Sequence, residues 1–231
     1  MTRRSLAPAQ VVPSGLLGAL RLPAAPAGVV LGRDANGSAL LVPVFGPAPA
    51  SIVYVGGWWA VQVLVNRCLA HGASVIVDAV DGGATPGTLA GLPQWLGLAR
   101  VTGGAQVSPS LRRTSAGPRA GATQSRPALM VHDVGPQGPA DPLPSGAWQT
   151  NLTVLSRVAA ASERLLASAA MVLTQRLDAR EAATVAATLG LPDGATAALG
   201  RLDHETLALC RPGRMDHLWL TPTTVERQVF G

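Results

Sequence analysis

The stretch over residues 52–78 constrains the fold of this 231-residue chain more than any other part of the sequence. It consists of a short apolar run, the pair Gly56-Gly57, a segment with helical spacing of apolar residues that ends near Gly72, and a second apolar run. Short apolar runs bounded by glycine predict buried strands, and the spacing between them predicts a helix. Strand, turn, helix and strand in this order form a βαβ unit, whose strands belong to a parallel sheet. We therefore predict an α/β fold.

An Asn36-Gly37 pair between two apolar runs predicts an N-terminal β-hairpin with a type I′ turn, in which both central residues have positive φ. Residues 1–27 are rich in Pro and Ala and have no apolar periodicity, so we expect a mobile or edge-covering tail. Residues 28–231 are expected to form a single domain, because their number suits one domain of ordinary size. Within this domain, residues 103–127 are rich in Gly, Ser, Thr and Arg and predict a flexible basic loop.

The second half of the chain predicts further strands and helices. Apolar residues spaced as on one helical face, among them Trp148 and Leu152, predict a helix over residues 147–161. Asp178 followed by Glu181 predicts a capping box at the start of another helix. The strand candidates are continuous apolar runs, which is typical of parallel strands covered on both faces and indicates a three-layer fold with a mostly parallel sheet. These runs lie at residues 128–132, 168–174, 205–210 and 217–220.

All 18 basic side chains are arginines, and the chain contains no lysine. A Walker A P-loop requires a Lys that contacts the β- and γ-phosphates, whereas Schiff-base enzymes and Ser–Lys hydrolases require a Lys amine. The sequence therefore excludes these chemistries. It also has no G-x-S-x-G elbow, and its four histidines lack zinc spacing. We expect no metal, no cofactor and no small-molecule substrate.

Two cysteines, Cys68 and Cys210, both lie in apolar surroundings. Two cysteines do not make a disulfide framework, which indicates a reduced, cytoplasmic protein. The longest apolar stretch, residues 52–65, is well short of the ~20 residues that a bilayer span requires. We therefore expect no membrane span of the chain's own.

The Gly56-Gly57 turn is the first candidate site, because a glycine turn that leads into a helix directs backbone N–H groups at one point and suits phosphate. The Walker A spacing is missing, and Trp58 and Trp59 stand where phosphates lie in a P-loop. The dinucleotide pattern G-x-G-x-x-G is also broken, although Asp78 stands near the position of the acidic residue that contacts a ribose. We interpret the turn as the structural remnant of a nucleotide site, with a dinucleotide site as the alternative.

Two later strand ends carry residues that match other parts of a nucleotide site. Asp133 follows an apolar strand, as the Mg²⁺-ordering Asp of Walker B does, but Val134 stands where an ATPase commonly places its catalytic Glu. Thr174, Gln175 and Arg176 follow another predicted strand, and in motor ATPases a polar residue at such a strand end senses the γ-phosphate. These positions, in this order, indicate a nucleotide site that has lost its catalytic parts.

A basic stretch lies within the predicted loop and contains no interleaved aromatic residues. Such a stretch is most often a solvated loop, and it is also a candidate for contacts with a partner. Proteins that bind single-stranded nucleic acid usually stack its bases on aromatic side chains, so we expect protein rather than nucleic acid as the partner. The basic residues are Arg112, Arg113, Arg119 and Arg126.

Five segments resemble a known family: residues 32–45, 53–60, 67–73, 148–153 and 226–231. They resemble the EccE family of actinobacterial type VII (ESX) secretion proteins, and the resemblance covers about residues 28–231. Members of that family usually carry two N-terminal transmembrane helices, for which we find no counterpart here. The order of the nucleotide-site remnants also resembles a degenerate P-loop motor domain of the FtsK/HerA type.

The resemblance implies a cytosolic module that docks on a membrane secretion complex with an FtsK-like ATPase subunit. With the catalytic parts missing, we expect a non-catalytic structural or accessory component of type VII protein secretion that acts by protein–protein binding. We expect it in the cytoplasm, held at the inner face of the cell membrane through its partners. Two alternatives stay open: a nucleotide- or dinucleotide-binding enzyme that uses the Gly56-Gly57 turn, and a basic nucleic-acid-binding module.

Overall fold

Ten strands pair into a single sheet in the computed structural model, which describes residues 27–79, 91–103, 105–109, 121–139 and 141–230. The expected tail lies outside the described residues, except for its last residue, which belongs to the first strand. The strands are β1 (Ala27–Arg33), β2 (Ala39–Phe45), β3 (Ala50–Val55), β4 (Ser74–Ala79), β5 (Ala105–Pro109), β6 (Ala128–Asp133), β7 (Gln149–Leu155), β8 (Met171–Thr174), β9 (Thr206–Arg211) and β10 (Arg214–Leu220).

The sheet is mixed, with a parallel part and an antiparallel part. Its strand order is β2-β1-β10-β9-β8-β3-β7-β6-β4-β5. The strands from β8 to β5 in this order are parallel to each other, whereas β9, β10, β1 and β2 extend the sheet as antiparallel neighbours. The pairs β1–β2 and β9–β10 are hairpins, and a hairpin makes its two strands antiparallel. The predicted α/β fold is confirmed, but the parallel arrangement covers six of the ten strands.

Helices lie between β3 and β4, between β4 and β5, and between β7 and β8, and α1 joins β3 to β4 as the βαβ pattern predicts. In the sheet, however, β7 and β6 lie between β3 and β4. At a spacing of ~4.8 Å per strand, β3 and β4 are therefore about 14 Å apart. Within the described part of the chain, no helix has the length and apolar character of a membrane span. The helices are α1 (Trp58–Ala70), α2 (Gly91–Thr102), α3 (Glu163–Ser168), α4 (Ala179–Leu189), α5 (Ala195–Leu199) and α6 (Thr224–Phe230).

Apolar side chains cover both faces of the central strands. On β3, Ile52 and Tyr54 belong to one buried cluster, which also contains residues of β1, β2 and α1. Val53 and Val55 belong to a second cluster, with residues of α3, α4 and α5. Successive side chains of a strand point to opposite faces, so the continuous apolar run of β3 fills both clusters.

Helix α4 begins and ends as the sequence predicts. Asp178 Oδ1 accepts a hydrogen bond from Glu181 N at 2.8 Å, and Glu181 Oε2 accepts one from Asp178 N at 3.0 Å. This reciprocal pair is the predicted capping box. Gly190 follows the last helical residue in the left-handed conformation, with φ of 57°. Both ends of α4 are therefore determined by local sequence.

The predicted helix over residues 147–161 is wrong, because strand β7 occupies the middle of this stretch. All seven residues of β7 are buried, and the strand pairs in parallel with β3 and β6. Thr150, Thr153 and Val154 are β-branched and favour a strand, and Leu152 and Val154 both face the first cluster. Local spacing suggested a helix here because it contains neither the strands β3 and β6 that pair with β7 nor the apolar clusters that bury its two faces.

The predicted flexible loop at residues 103–127 is wrong in part. Strand β5 lies within it and pairs in parallel with β4. Residues 121–127 form a turn closed by an isolated bridge between Thr123 and Arg126. Residues 110–120 lie outside the described residues. Strand β5 was missed because its stability depends on a pairing partner that is distant in the sequence.

The N-terminal hairpin is confirmed, but its turn is not of type I′. Residues 34–38 join β1 to β2, and Gly37 has a φ of 78°, whereas Asn36 has no positive φ. Asp34 Oδ1 accepts hydrogen bonds from the backbone N–H groups of Asn36 and Ser38, each at 2.9 Å. The aspartate side chain therefore stabilises a wider turn that requires only one left-handed residue.

Candidate functional site

The Gly56-Gly57 turn brings the amino end of α1 next to the residue that follows β8. Gln175 N donates to Val55 O at 2.9 Å, and Gly56 N donates to Leu155 O at 3.1 Å, so three neighbouring strand ends meet here. Gln175 Oε1 accepts a hydrogen bond from Gly57 N at 2.5 Å. This oxygen therefore occupies a position where the free N–H groups of a helix end would bind an anion.

Tyr54 adds a third group to the turn. Its hydroxyl oxygen lies 2.7 Å from Gly57 O and 3.1 Å from Gln175 Oε1, and its single proton serves one of these acceptors at a time. Tyr54 is buried, and burial raises the pKa of its hydroxyl far above the ordinary value. The hydroxyl therefore stays protonated as a donor. At the other side of the carboxamide, Gln175 Nε2 donates to His204 O at 3.0 Å, which orients the group.

The glycines allow the carboxamide to approach the backbone closely. A Cβ at Gly56 would lie 2.6 Å from Gln175 Oε1 and 2.7 Å from Tyr54 Oη, and a Cβ at Gly57 would lie 3.2 Å from the same Gln175 oxygen. Any side chain at Gly56 would displace one of these groups. The glycine pair thus makes room for a side chain of the protein itself.

Trp58 and Trp59 are half-buried and contact the first core cluster. Trp58 packs edge-on against Trp95 of α2, with ring centroids 4.5 Å apart and an interplanar angle of 82°. Trp95 Nε1 in turn donates to Asp133 Oδ2 at 2.8 Å, and both residues are fully buried. Asp133, the candidate Mg²⁺-ordering residue, is therefore a hydrogen-bonded core carboxylate. Trp95 belongs to no motif in the sequence, and only its apolar character suggested burial.

Asp78 lies away from the glycine turn. It is paired on β4 with His132 on β6, and Asp78 Oδ2 lies 3.8 Å from His132 Nδ1. His132 is buried, and neither its Nε2 nor Asp78 Oδ1 has a hydrogen-bond partner among the described residues. Because two strands separate β4 from β3, the structure does not bring Asp78 to the turn as the neighbouring strands of a dinucleotide fold would.

The other predicted positions have structural or surface roles. The buried Thr174 hydroxyl donates to Gln175 O at 2.8 Å. Arg176 is exposed beside an open cleft, and Arg126 is exposed in the turn with its backbone N–H bonded to Thr123 O at 3.2 Å. The structure therefore brings together the glycine pair and the residues after β8. The predicted partner contacts that lie outside the described residues are Arg112, Arg113 and Arg119.

Within the described ranges, no three His, Cys, Asp or Glu side chains form a group that could hold a metal ion. Cys68 and Cys210 are buried free thiols. Burial raises the pKa of Cys68 to about 12, and burial together with the charge of Asp216 raises the pKa of Cys210 to about 12. Both thiols are protonated at neutral pH, which makes them poor nucleophiles.

These features define an α/β domain in which a glycine turn and a helix end lie at the carboxyl ends of parallel strands. The chain is similar in structure to the cytoplasmic domain of the type VII secretion ATPase EccC from Thermomonospora curvata, with a TM-score of 0.53 and 12% sequence identity. The similarity covers 92% of this chain and 32% of that chain, so this chain spans about a third of its length. It shows a shared fold. No family model and no curated protein matches the sequence.

Proposed function

We propose that this chain is a non-catalytic structural or accessory component of type VII protein secretion, EccE-like and built on a three-layer, degenerate P-loop fold. It acts by binding protein partners, among them an FtsK-like secretion ATPase. It works in the cytoplasm, at the inner face of the cell membrane. The fold supports this setting, since the structural neighbour EccC is itself a type VII secretion ATPase.

The contact between Gln175 and Gly57 carries the proposal. In a P-loop, N–H groups at the helix end and a lysine together hold the phosphates. Here Gln175 Oε1 accepts the hydrogen bond of Gly57 N, and the chain has no lysine to supply the positive charge. In this proposal the protein's own carboxamide takes the place that a phosphate has in a P-loop, which supports a role in binding partners over one in catalysis.

The enzyme alternatives have less support. Asp133 is held by the indole N–H of Trp95 in the core, although a Mg²⁺-ordering carboxylate needs access to the metal. Asp78, the residue that a dinucleotide site would use, is on a strand about 14 Å from β3 at ~4.8 Å per strand. These two observations favour the proposed binding role over the enzyme alternatives.

Calorimetry with Mg·ATP and Mg·ADP tests the absence of nucleotide chemistry. We expect no binding heat at millimolar nucleotide, and no phosphate release above the rate of the buffer alone. Asp133→Asn is the matched variant, because an asparagine oxygen still accepts from Trp95. Micromolar ATP binding that Asp133→Asn abolishes, with the thermal melting curve unchanged, would refute the non-catalytic assignment.

Purification of the tagged chain from its native host tests the secretion role. Mass spectrometry of the co-purified proteins should identify the type VII secretion ATPase and membrane subunits, enriched over a tagged unrelated protein of similar size. Their absence, with the bait folded and abundant, would contradict the proposal. Binding of an oligonucleotide with a steep loss of affinity on added salt would instead favour the nucleic-acid alternative.

A further inference from the structure

Four arginine side chains lie around the amino end of α4, and none of them has an ion-pair or hydrogen-bond partner among the described residues. Arg157, Arg176, Arg180 and Arg201 are all exposed, and none forms an ion pair or a side-chain hydrogen bond with another described residue. They come from separate parts of the chain: the segments after β7, β8 and α5, and α4 itself. The fold, rather than a run of sequence, therefore brings them together.

Most other arginine side chains in the described ranges have a hydrogen-bond or ion-pair partner. Six of them bond to a carboxylate or to a backbone carbonyl, and apart from the four around α4 only Arg100 and Arg126 have no such bond. The unpaired arginines are thus concentrated at one place. The engaged residues are Arg33, Arg67, Arg164, Arg211, Arg214 and Arg227.

The four arginines line two open clefts that meet at Asp178. Arg157 and Arg180 line a cleft of about 330 Å³, and Arg176 and Arg201 line a cleft of about 810 Å³. Asp178 lines both. We call this concave surface the arginine clefts.

Three carboxylates lie among the arginines, and two of them are already engaged with backbone N–H groups. Asp178 and Glu181 form the capping box of α4, and Glu181 Oε1 also accepts from Val158 N at 2.9 Å. The third carboxylate, Glu163, lines the smaller cleft. Four positive and three negative charges leave a formal charge of +1 on this surface.

We propose that the arginine clefts bind an acidic segment of a partner protein. The inference rests on the protein-binding function proposed above and names its site. Guanidinium groups bind carboxylates in a planar, two-pronged geometry, and these four have no carboxylate partner within the described part of the chain. Small apolar residues such as Ala179 and Ala197 line the larger cleft and suit contact with a polypeptide.

A nucleic acid or an anionic membrane fits this surface less well. A continuous polyanion would lie against Asp178, Glu163 and Glu181 as well as against the arginines, and like charges repel. No aromatic residue lines either cleft, so bases have no stacking surface. A protein segment, in contrast, can place carboxylates opposite the arginines alone.

Photo-crosslinking in the native host tests the inference on the full chain. A benzoylphenylalanine in place of Thr196, which lines the larger cleft and is exposed, should crosslink to a protein segment whose mass spectrum shows Asp or Glu within a few residues. The double variant Arg176→Glu/Arg201→Glu should reduce this crosslink about tenfold or more, because it reverses the charge of the cleft. Arg33→Glu/Arg100→Glu changes two exposed arginines that line neither cleft, makes the same change in net charge, and should leave the crosslink intact.

Four results would overturn the inference: no crosslink at Thr196, crosslinks to nucleic acid or lipid alone, equal yield in the Arg176→Glu/Arg201→Glu variant, or equal loss in the control pair. Thermal melting of each variant confirms that it folds. If the secretion subunits co-purify with the chain and still do so after charge reversal, the arginine clefts are not the binding site, whereas the proposed function is supported. If the crosslinked acidic partner is lost on charge reversal but is not a secretion protein, the proposed function is wrong, whereas the arginine clefts are supported as a binding site.

Discussion

The side-chain oxygen of Gln175 lies 2.5 Å from the backbone nitrogen of Gly57, although the two residues are 118 positions apart in the sequence. A side chain that follows β8 thus caps the helix that follows β3, at the junction of two neighbouring parallel strands. At this helix end, the Gln175 oxygen occupies a backbone N–H group that could otherwise contact a phosphate. The contribution of this contact to the free energy of unfolding can be measured.

A double-mutant cycle at Gly56 and Gln175 measures this junction. Gly56→Ala should destabilise the protein by about 2 kcal/mol, because the new Cβ would overlap the ends of Gln175 and Tyr54. Gln175→Ala should destabilise it by about 1 kcal/mol through the loss of hydrogen bonds. The double variant should be less destabilised than the sum, since removal of the carboxamide relieves one of the two overlaps.

Urea unfolding of the four proteins in the cycle gives the coupling energy. Gln228→Ala, at an exposed position of α6, is the control and should change the free energy of unfolding by less than about 0.5 kcal/mol. Strict additivity of the Gly56 and Gln175 effects would show that the carboxamide is not positioned over the turn.

Trp95→Phe should destabilise the protein by about 2 kcal/mol, because it removes the N–H that donates to the buried Asp133 carboxylate. It also weakens the edge-on packing against Trp58. The matched change Trp58→Phe keeps an aromatic ring and leaves the bond to Asp133 in place, so it should be less harmful. Thermal unfolding of both variants makes the comparison, and an equal loss in the two would contradict the role of the indole donor.

Arg67 joins α1 to the C-terminal helix α6. Its guanidinium contacts both oxygens of Glu226 at 2.7 Å and also donates to Val30 O at 2.6 Å and Thr221 O at 2.9 Å. Only 4% of the Glu226 side chain is exposed. Removal of one partner from such a pair leaves the other buried and unpaired, so Arg67→Ala should lower the free energy of unfolding by about 3 kcal/mol.

The ion pair of Arg67 and Glu226 makes the free energy of unfolding depend on pH. Burial alone would raise the pKa of Glu226, but hydrogen bonds from Arg67 and Thr223 and the charge of Arg67 outweigh it and lower the pKa. A carboxyl group whose pKa is lower in the folded state stabilises that state above its unfolded pKa and loses this effect as the pH falls through the folded pKa. The advantage of the native protein over Glu226→Gln should thus be full at pH 7 and shrink below about pH 4. Urea unfolding at both pH values measures it, and a constant difference would contradict the assignment.

The hairpin turn offers a test with its own internal control. Gly37→Ala should destabilise the protein by about 1 kcal/mol, because φ of 78° is unfavourable for alanine, while no atom within 4 Å crowds the new Cβ. Asn36→Ala should change the free energy of unfolding by less than about 0.5 kcal/mol, because Asn36 has no positive φ. In a type I′ turn both substitutions would be unfavourable, so comparable losses at the two positions would refute the observed turn.

The sequence by itself determined the features that depend on neighbouring residues. It located the βαβ unit at the Gly56-Gly57 turn, the hairpin around Gly37, and the capping box of Asp178 and Glu181. Each of these depends on hydrogen bonds or apolar spacing within a few positions, so the residues that stabilise the feature are visible together in the sequence. The sequence also named Gln175 as a candidate, through its place after a predicted strand.

Only the tertiary structure decided which distant segments become neighbours. In the sheet, β7 and β6 lie between β3 and β4, so residues 149–155 form a buried strand instead of the predicted helix, and Asp78 lies away from the turn. The tertiary structure also placed Gln175 on Gly57, and Trp95 on Asp133. A parallel strand pairs with strands that are far away in the chain, and the helices that cover its two faces can be equally distant. The residues that fill this candidate site therefore depend on strand order, which local spacing does not encode.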